Sequence, residues 1–359
     1  MKYQIAIGLP SYNEAERIGF VTKQIDRGLG KYFSSDSSLI VNMDSKSPDD
    51  TKSAFLATKT KVDKLYLEVG KGKGTALIDF WSFCSENKIP YIATIDADLK
   101  SITPEWISLL VQPLVDQKAE TILPLYARNR FGANITNQFA SPLVYSIFGE
   151  RVRQPLAGEF GYSANFYRYL LQQPKIEATS KYGIDIFITC NALAGKFQIL
   201  NPDLGRKIDK PSFYHQEETF LEVSRSAIAV TREILEKNKN SNVKKPITIE
   251  GYCAIDTEEF FPHKIEIPEL LKKLFIQYKE NQKLNEKYLG DLSEIIKRNI
   301  SKENVNINVE LWTDVLTVIL KRCYSREFNL SDIDKVTRVL LPIYRWRVIT
   351  FWIEVESKP

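Results

Sequence analysis

The chain contains no apolar run that approaches the roughly 20 residues a membrane-spanning helix requires, so no span is expected. Cysteine is scarce. Cys84, Cys190, Cys253 and Cys323 stand far apart and form no C-x-x-C pair, so reduced thiols are expected rather than a disulfide framework. An excess of one charge is also missing. Forty-nine basic against 45 acidic side chains leave a net charge of +4, which gives no footprint for nucleic acid, although a local basic patch for phosphates remains possible. Met1-Lys2-Tyr3-Gln4 leads directly into a strand pattern instead of a signal peptide, and the expected location is the cytoplasm. No internal repeat is visible. What remains is a chain of 359 residues with 43% hydrophobic and 26% charged content, enough for a large core and two structural units.

The first hundred residues alternate strand and helix patterns. Gln4 to Leu9 reads as a short apolar strand, followed by the turn Pro10-Ser11-Tyr12-Asn13-Glu14 and helical spacing to Ile25. Leu39–Met43 is a second strand, closed by Asp44 and a polar loop, with a helix from Thr51. Val62–Leu67 is a third strand. Gly70-Lys71-Gly72-Lys73-Gly74 then forms a glycine-rich loop before a helix from Thr75 to Glu86. Tyr91–Ile95 is a fourth strand, ending at Asp96. Four such alternations predict a doubly wound, mostly parallel α/β sheet. Ligands bind beyond the carboxyl ends of such strands, where Asn13, Asp44, Lys71 and Asp96 should converge. The second half changes character. Residues 236–246 are polar and charged and read as a loop. From Ile267 the pattern is mostly helical, with Leu270, Leu271, Leu274 and Phe275 on one face. A division into residues 1–255 and a helical region 256–359 packed on it is expected.

Asp96-Ala97-Asp98 carries the most chemistry. Two carboxylates one residue apart at a strand end repel each other unless a cation or hydroxyl donors lie between them. Oxygen ligands of this kind suit Mg²⁺ or Mn²⁺, which bridge to the phosphates of a nucleotide. Lys71 lies between two glycines, so the backbone can approach a phosphate while the ammonium neutralises it.

Together these residues resemble the nucleotide-sugar glycosyltransferases of family 2 type with the A-type fold. "LPSYNEAERI" is similar to the opening motif of that superfamily, "VNMDSKSPDDT" to its second nucleotide-binding loop and "TIDADLK" to its metal motif. "GKGKGTAL", "DADLKSITPEWI", "GANIT", "QPLAGEF", "YGIDI" and "DLGRKID" follow in the order found in glucosyl-3-phosphoglycerate and mannosylglycerate synthases. The likeness covers about residues 3 to 225.

The resemblance implies a role for each matching residue. Pro10, Asn13 and Glu14 would frame the nucleoside of a UDP- or GDP-hexose, and Asp44 would accept from the base. Lys71 would meet the diphosphate. Asp98 would be the main metal ligand, beside Ala97, with Asp96 on the ribose or supporting the metal through water. The families carry a His separated from "DLG" by three intervening residues, where this chain has Asp209; Asp is a competent hard-cation ligand, and His215 is the other candidate. The loop from Gln154 through Leu156, Gly158 and Glu159 would lie against the reacting sugar, and Asp185 would bind sugar hydroxyls or orient the acceptor. Arg128 and Thr136 match positions that hold an acceptor carboxylate. The phosphoglycerate enzymes carry an Arg where this chain has Asn134, and an Asn where it has Pro211.

Losing both favours an unphosphorylated small hydroxy acid such as glycerate. The implied reaction is metal-dependent hexosyl transfer with retention of the α configuration, by a homodimer with no nucleic-acid partner. An inverting family 2 transferase on a lipid or polysaccharide, with Asp185 as base, is one alternative. Glucosyl-3-phosphoglycerate synthesis itself is another, and a silent nucleotide-sugar-binding scaffold is a third. A sugar nucleotidyltransferase is disfavoured because residues 8–20 lack its glycine-rich phosphate loop.

Overall fold

The computed structural model describes residues 2–128, 131–208, 216–237, 248–249, 267–301 and 303–356. The first four strands are β1 (Ile5–Ser11), β2 (Ser38–Asp44), β3 (Asp63–Glu68) and β4 (Tyr91–Thr94). The apolar runs of β1, β2 and β4 are buried, as expected of strands covered on both faces, and every residue of β2 is buried; β3, at the edge of the sheet, is only partly covered. Between them lie α1 (Ile18–Tyr32), α2 (Thr51–Ala57) and α3 (Lys73–Glu86). α1 buries Ile18, Val21, Ile25 and Leu29 along one stripe, the 3–4 spacing of a helix facing a core.

The chain continues through α4 (Pro104–Val115), β5 (Thr121–Ile122), β6 (Leu125–Ala127), α5 (Ser141–Phe148), β7 (Phe160–Ser163), α6 (Ala164–Gln172) and α7 (Ile184–Ala194). Then come β8 (Ile199–Leu200), β9 (Asp203–Arg206), α8 (Gln216–Lys237) and β10 (Thr248–Ile249). The eight-stranded sheet has the order β10-β8-β5-β7-β4-β1-β2-β3. Its pairs are parallel except that β7 runs antiparallel between β4 and β5. β6 and β9 form a separate parallel pair. The sheet is therefore mixed, and β7 brings the 154–159 loop back towards the end of β4.

The remaining helices are α9 (Ile267–Glu280), α10 (Gln282–Leu289), α11 (Leu292–Arg298), α12 (Val309–Cys323) and α13 (Ile333–Glu356). α13 packs on α8 and α9, with the Tyr344 ring stacked on Phe220 at 4.1 Å. One continuous apolar cluster runs from the sheet into these helices. Cys84, Cys190 and Cys323 are buried free thiols, and Cys253 lies outside the described residues. Among the described residues no helix is long and apolar enough to cross a membrane.

Candidate active site

The carboxyl ends of β1, β2 and β4 share one edge of the sheet. Ser11 pairs with Asp44, Asp44 with Glu68, and Gly8 with Thr94. Beyond that edge opens a cavity of about 690 Å³. Pro10, Ser11, Tyr12, Glu14 and Ser45 line it from the ends of β1 and β2, and Lys71, Gly72 and Lys73 from the turn into α3. Asp96, Ala97 and Asp98 lie past β4, and Lys181, Tyr182 and α8 complete the wall.

At its floor five charged groups alternate in sign. Lys73 Nζ lies 2.9 Å from Asp96 Oδ1 and 3.4 Å from Asp185 Oδ1. Lys207 Nζ lies 3.5 Å from Asp96 Oδ2 and donates to Glu159 Oε2 at 2.7 Å. It also donates to the Ala157 carbonyl at 3.0 Å. The Tyr126 hydroxyl donates to Glu159 Oε2 as well. Glu159 is fully buried, and the Lys207 side chain is 3% exposed.

Three carboxylates thus share two lysines. Burial pushes the Glu159 carboxyl up to about 7, against the pull of Lys207 and with the help of Asp96. Burial also raises Asp185, with Lys73 opposing. Asp96 sits between two ammonium groups that outweigh its burial and hold it well below the usual carboxylate range. Lys73 is likewise buried, but Asp185 and Asp96 carry it well above the usual lysine value.

Local structure fixes this cluster. Lys73 is the first residue of α3. The Gly74 amide donates to the Lys181 carbonyl at 3.1 Å, which holds the 178–185 segment, and with it Asp185, against the first turn of α3. Gly158 adopts φ +90°, and a Cβ there would lie 2.6 Å from Lys207 Nζ and 2.7 Å from Asp96 Oδ2. Only glycine lets this loop pass so close to the ion pairs. β9 delivers Lys207, and the next residue is anchored by Lys100 N–H to the Ile208 carbonyl at 2.9 Å.

The sequence-derived residues fall into groups. Pro10, Glu14, Lys71, Asp96, Ala97 and Asp98 line the cavity, and Gly158, Glu159 and Asp185 lie in or against the charged cluster. Leu156 is partly buried against the apolar core. Asp44 is 1% exposed, accepting from Ser47 N–H at 3.0 Å and Tyr66 hydroxyl at 2.9 Å; Ser45, not Asp44, reaches the cavity wall. Asn13 is exposed with φ +59°, and its N–H donates to Ser47 Oγ. Asn134 and Thr136 are buried at 4% and 6% exposure, and Asn134 Nδ2 donates to the Phe131 carbonyl. The Arg128 guanidinium lies 5.2 Å over the Tyr126 ring. None of Arg128, Asn134 and Thr136 is on the cavity wall. Asp209, Pro211 and His215 lie outside the described residues.

Three participants were given no part in the donor or metal site from sequence. Lys73 has the same glycine-flanked setting as Lys71, and only the start of α3 separates them. Lys207 sits inside "DLGRKID", and Tyr126 precedes Arg128 by two residues. Their partners are 48 and 33 residues away along the chain, so no local spacing marked them.

Residues 6–193, more than half of the chain, match the family model described as glycosyl transferase family 2. The chain belongs to that family and is a glycosyltransferase. Among solved structures it is similar to glucosyl-3-phosphoglycerate synthase from Mycobacterium tuberculosis in complex with Mn²⁺, UDP and phosphoglyceric acid, at 22% identity and a TM-score of 0.51 over 66% of this chain and 78% of that one. A second structure of that enzyme, with Mg²⁺ and UDP, matches at 22% identity and TM-score 0.51 over 67% and 81% of the two chains. A structure described as a mycobacterial protein matches at 20% identity and TM-score 0.50, over 67% and 76%. At these identities the likeness is one of fold. No curated protein matches the sequence.

Proposed function

We propose that the protein transfers a hexose from a nucleoside diphosphate sugar to a small hydroxy acid, glycerate in preference to 3-phosphoglycerate, retaining the α configuration. The observation that carries this reading is the Lys73 bridge between Asp96 and Asp185 on the floor of the strand-end cavity. The solved structures of similar fold hold UDP, and one of them phosphoglyceric acid, which favours a UDP-sugar as donor.

Asp98 supplies a hard oxygen donor on the cavity wall, and a carboxylate of this kind fits Mg²⁺ or Mn²⁺. Among the described residues no third His, Cys, Asp or Glu joins Asp96 and Asp98 in a ligand group; Asp209, or else His215, is the remaining candidate by sequence. A bound cation would supply charge stabilisation for the departing diphosphate. Lys71 and Lys73 supply positive charge from the same side of the cavity.

Glu159 is held by Lys207 and Tyr126, and Asp185 is ion-paired with Lys73; our reading uses neither as a covalent nucleophile. The reading is therefore a front-face reaction. The bond from the anomeric carbon to the diphosphate oxygen breaks, and the acceptor hydroxyl oxygen bonds to that carbon on the same face. The hydroxyl proton passes to the leaving phosphate oxygen. The protein's contribution is positioning and fixed charge.

The test is incubation with UDP-glucose or GDP-mannose, Mn²⁺ and glycerate, with nucleotide release and the anomeric coupling constant of the product as readouts. A β-linked product, or no turnover with any small hydroxy acid, sinks the proposal. Asp98→Ala should abolish the Mn²⁺-dependent part of UDP affinity in calorimetry. Retained Mn²⁺-dependent affinity would remove Asp98 from the metal site.

A further inference from the structure

We propose that Arg225 on α8, and not Arg128, binds the acceptor's carboxylate, and that the subsite accepts a single negative charge. This rests on the transfer reaction proposed above and assigns its acceptor side. The cavity has a wall that the sequence motifs do not reach. Glu218, Leu221, Glu222 and Arg225 line it at the i, i+3, i+4, i+7 spacing of one helical face.

This face is fixed close to Asp185. Ser226 Oγ donates to the Gly183 carbonyl at 2.7 Å, and Tyr182 N–H donates to Glu222 Oε2 at 3.1 Å. Arg225 is thus one residue from an anchor on the loop that leads into Asp185. Arg225 Nε also lies 2.6 Å from Asp334 Oδ1, near the start of α13. A guanidinium held at one edge keeps further donors in a fixed plane, the geometry that suits a carboxylate. Arg128 is elsewhere, over the Tyr126 ring and off the cavity wall.

Charge on the same face sets the acceptor class. Glu222 and Glu218 precede Arg225 on this face by one and two turns, and the nearby Lys181 is already engaged, at 3.8 Å from Glu222 and 3.5 Å from Glu177. A monoanion meets one cation here. A phosphate added to the same ligand brings its two further charges against carboxylates.

The experiment measures acceptor and donor KM separately with UDP-glucose or GDP-mannose as donor, using glycerate and 3-phosphoglycerate, for the full chain and for Arg225→Met, Arg225→Lys and Arg128→Met. Arg225→Met should raise the glycerate KM roughly 10- to 100-fold, the loss of one charge-assisted contact, while the donor KM and the UDP-induced rise in Tm stay as in the parent. Arg225→Lys keeps the charge and should lose less. An unchanged glycerate KM in both Arg225 variants overturns the inference. So does an acceptor KM that moves with Arg128→Met instead, or a parent preference for 3-phosphoglycerate. A parent chain that neither binds nor turns over either donor overturns the reaction itself, which is a different result.

Discussion

Lys71 and Lys73 have the same neighbours in sequence and opposite surroundings in space. Lys71 is exposed on the cavity rim, whereas the Lys73 side chain is 12% exposed between two carboxylates. Two glycine-flanked lysines stand in the sequence, and which of them enters the core depends on where α3 begins, a matter of one or two residues that pattern alone does not resolve. Energetically the two differ sharply. Removing one partner of a buried ion pair costs about 3–5 kcal/mol, whereas a surface change is usually within about 0.5 kcal/mol. Lys73→Met should therefore lower the urea-unfolding free energy by about 3–5 kcal/mol, and Lys71→Met should leave it nearly unchanged while weakening UDP binding. Equal stability losses in the two variants would contradict the placement of Lys73.

At the level of elements, the strands ending at Ser11, Asp44, Glu68 and Thr94 follow the apolar runs read from the sequence to within a few residues. In β1, β2 and β4 that signature comes from burial on both faces. β7 left no comparable signal. It has four residues, Phe160–Ser163, with a glycine among them, and strand direction depends on partners remote in sequence. Yet β7 carries the 154–159 loop to Asp96. The docking of the 178–185 segment on α3 was equally invisible, although it places Asp185. It depends on Gly74, where a Cβ would lie 1.9 Å from the Thr179 carbonyl oxygen. Gly74→Ala must push the two backbones apart, and overpacking costs about 1–3 kcal/mol. It should lower Tm and reduce kcat more than donor binding, because Asp185 moves while the nucleotide end of the cavity does not. An unchanged kcat would mean that Asp185 does not need this docking.

On the scale of the whole molecule, the C-terminal helices are joined to the sheet portion through buried polar groups as well as apolar faces. Trp312 Nε1 donates to the Gln138 carbonyl at 2.6 Å, and Trp352 Nε1 to the Phe131 carbonyl at 3.3 Å. Arg347 is 4% exposed, and its Nε donates to Gln138 Oε1 at 3.1 Å. Its Nη1 reaches the Ile307 carbonyl and Glu354, both within 3.2 Å. The bonds to Gln138 and Phe131 cross between residues 131–140 and α12 and α13, and they accompany the Phe220–Tyr344 stack. The apolar helical faces were readable in sequence, but the groups they cover were not, since each partner lies more than 170 residues away. We expect the sheet and the helices to unfold together, since contacts of this kind couple the two parts. Far-UV circular dichroism and tryptophan fluorescence should report one coincident urea transition. Arg347→Met should shift that whole transition by about 2–5 kcal/mol, because it leaves buried acceptors and a carboxylate without their donor. A chain ending near residue 255 should fail to give a stable, active protein. Two separate transitions, with Arg347→Met moving only one of them, would instead make the C-terminal helices a domain of their own and detach α13 from the wall that holds Arg225.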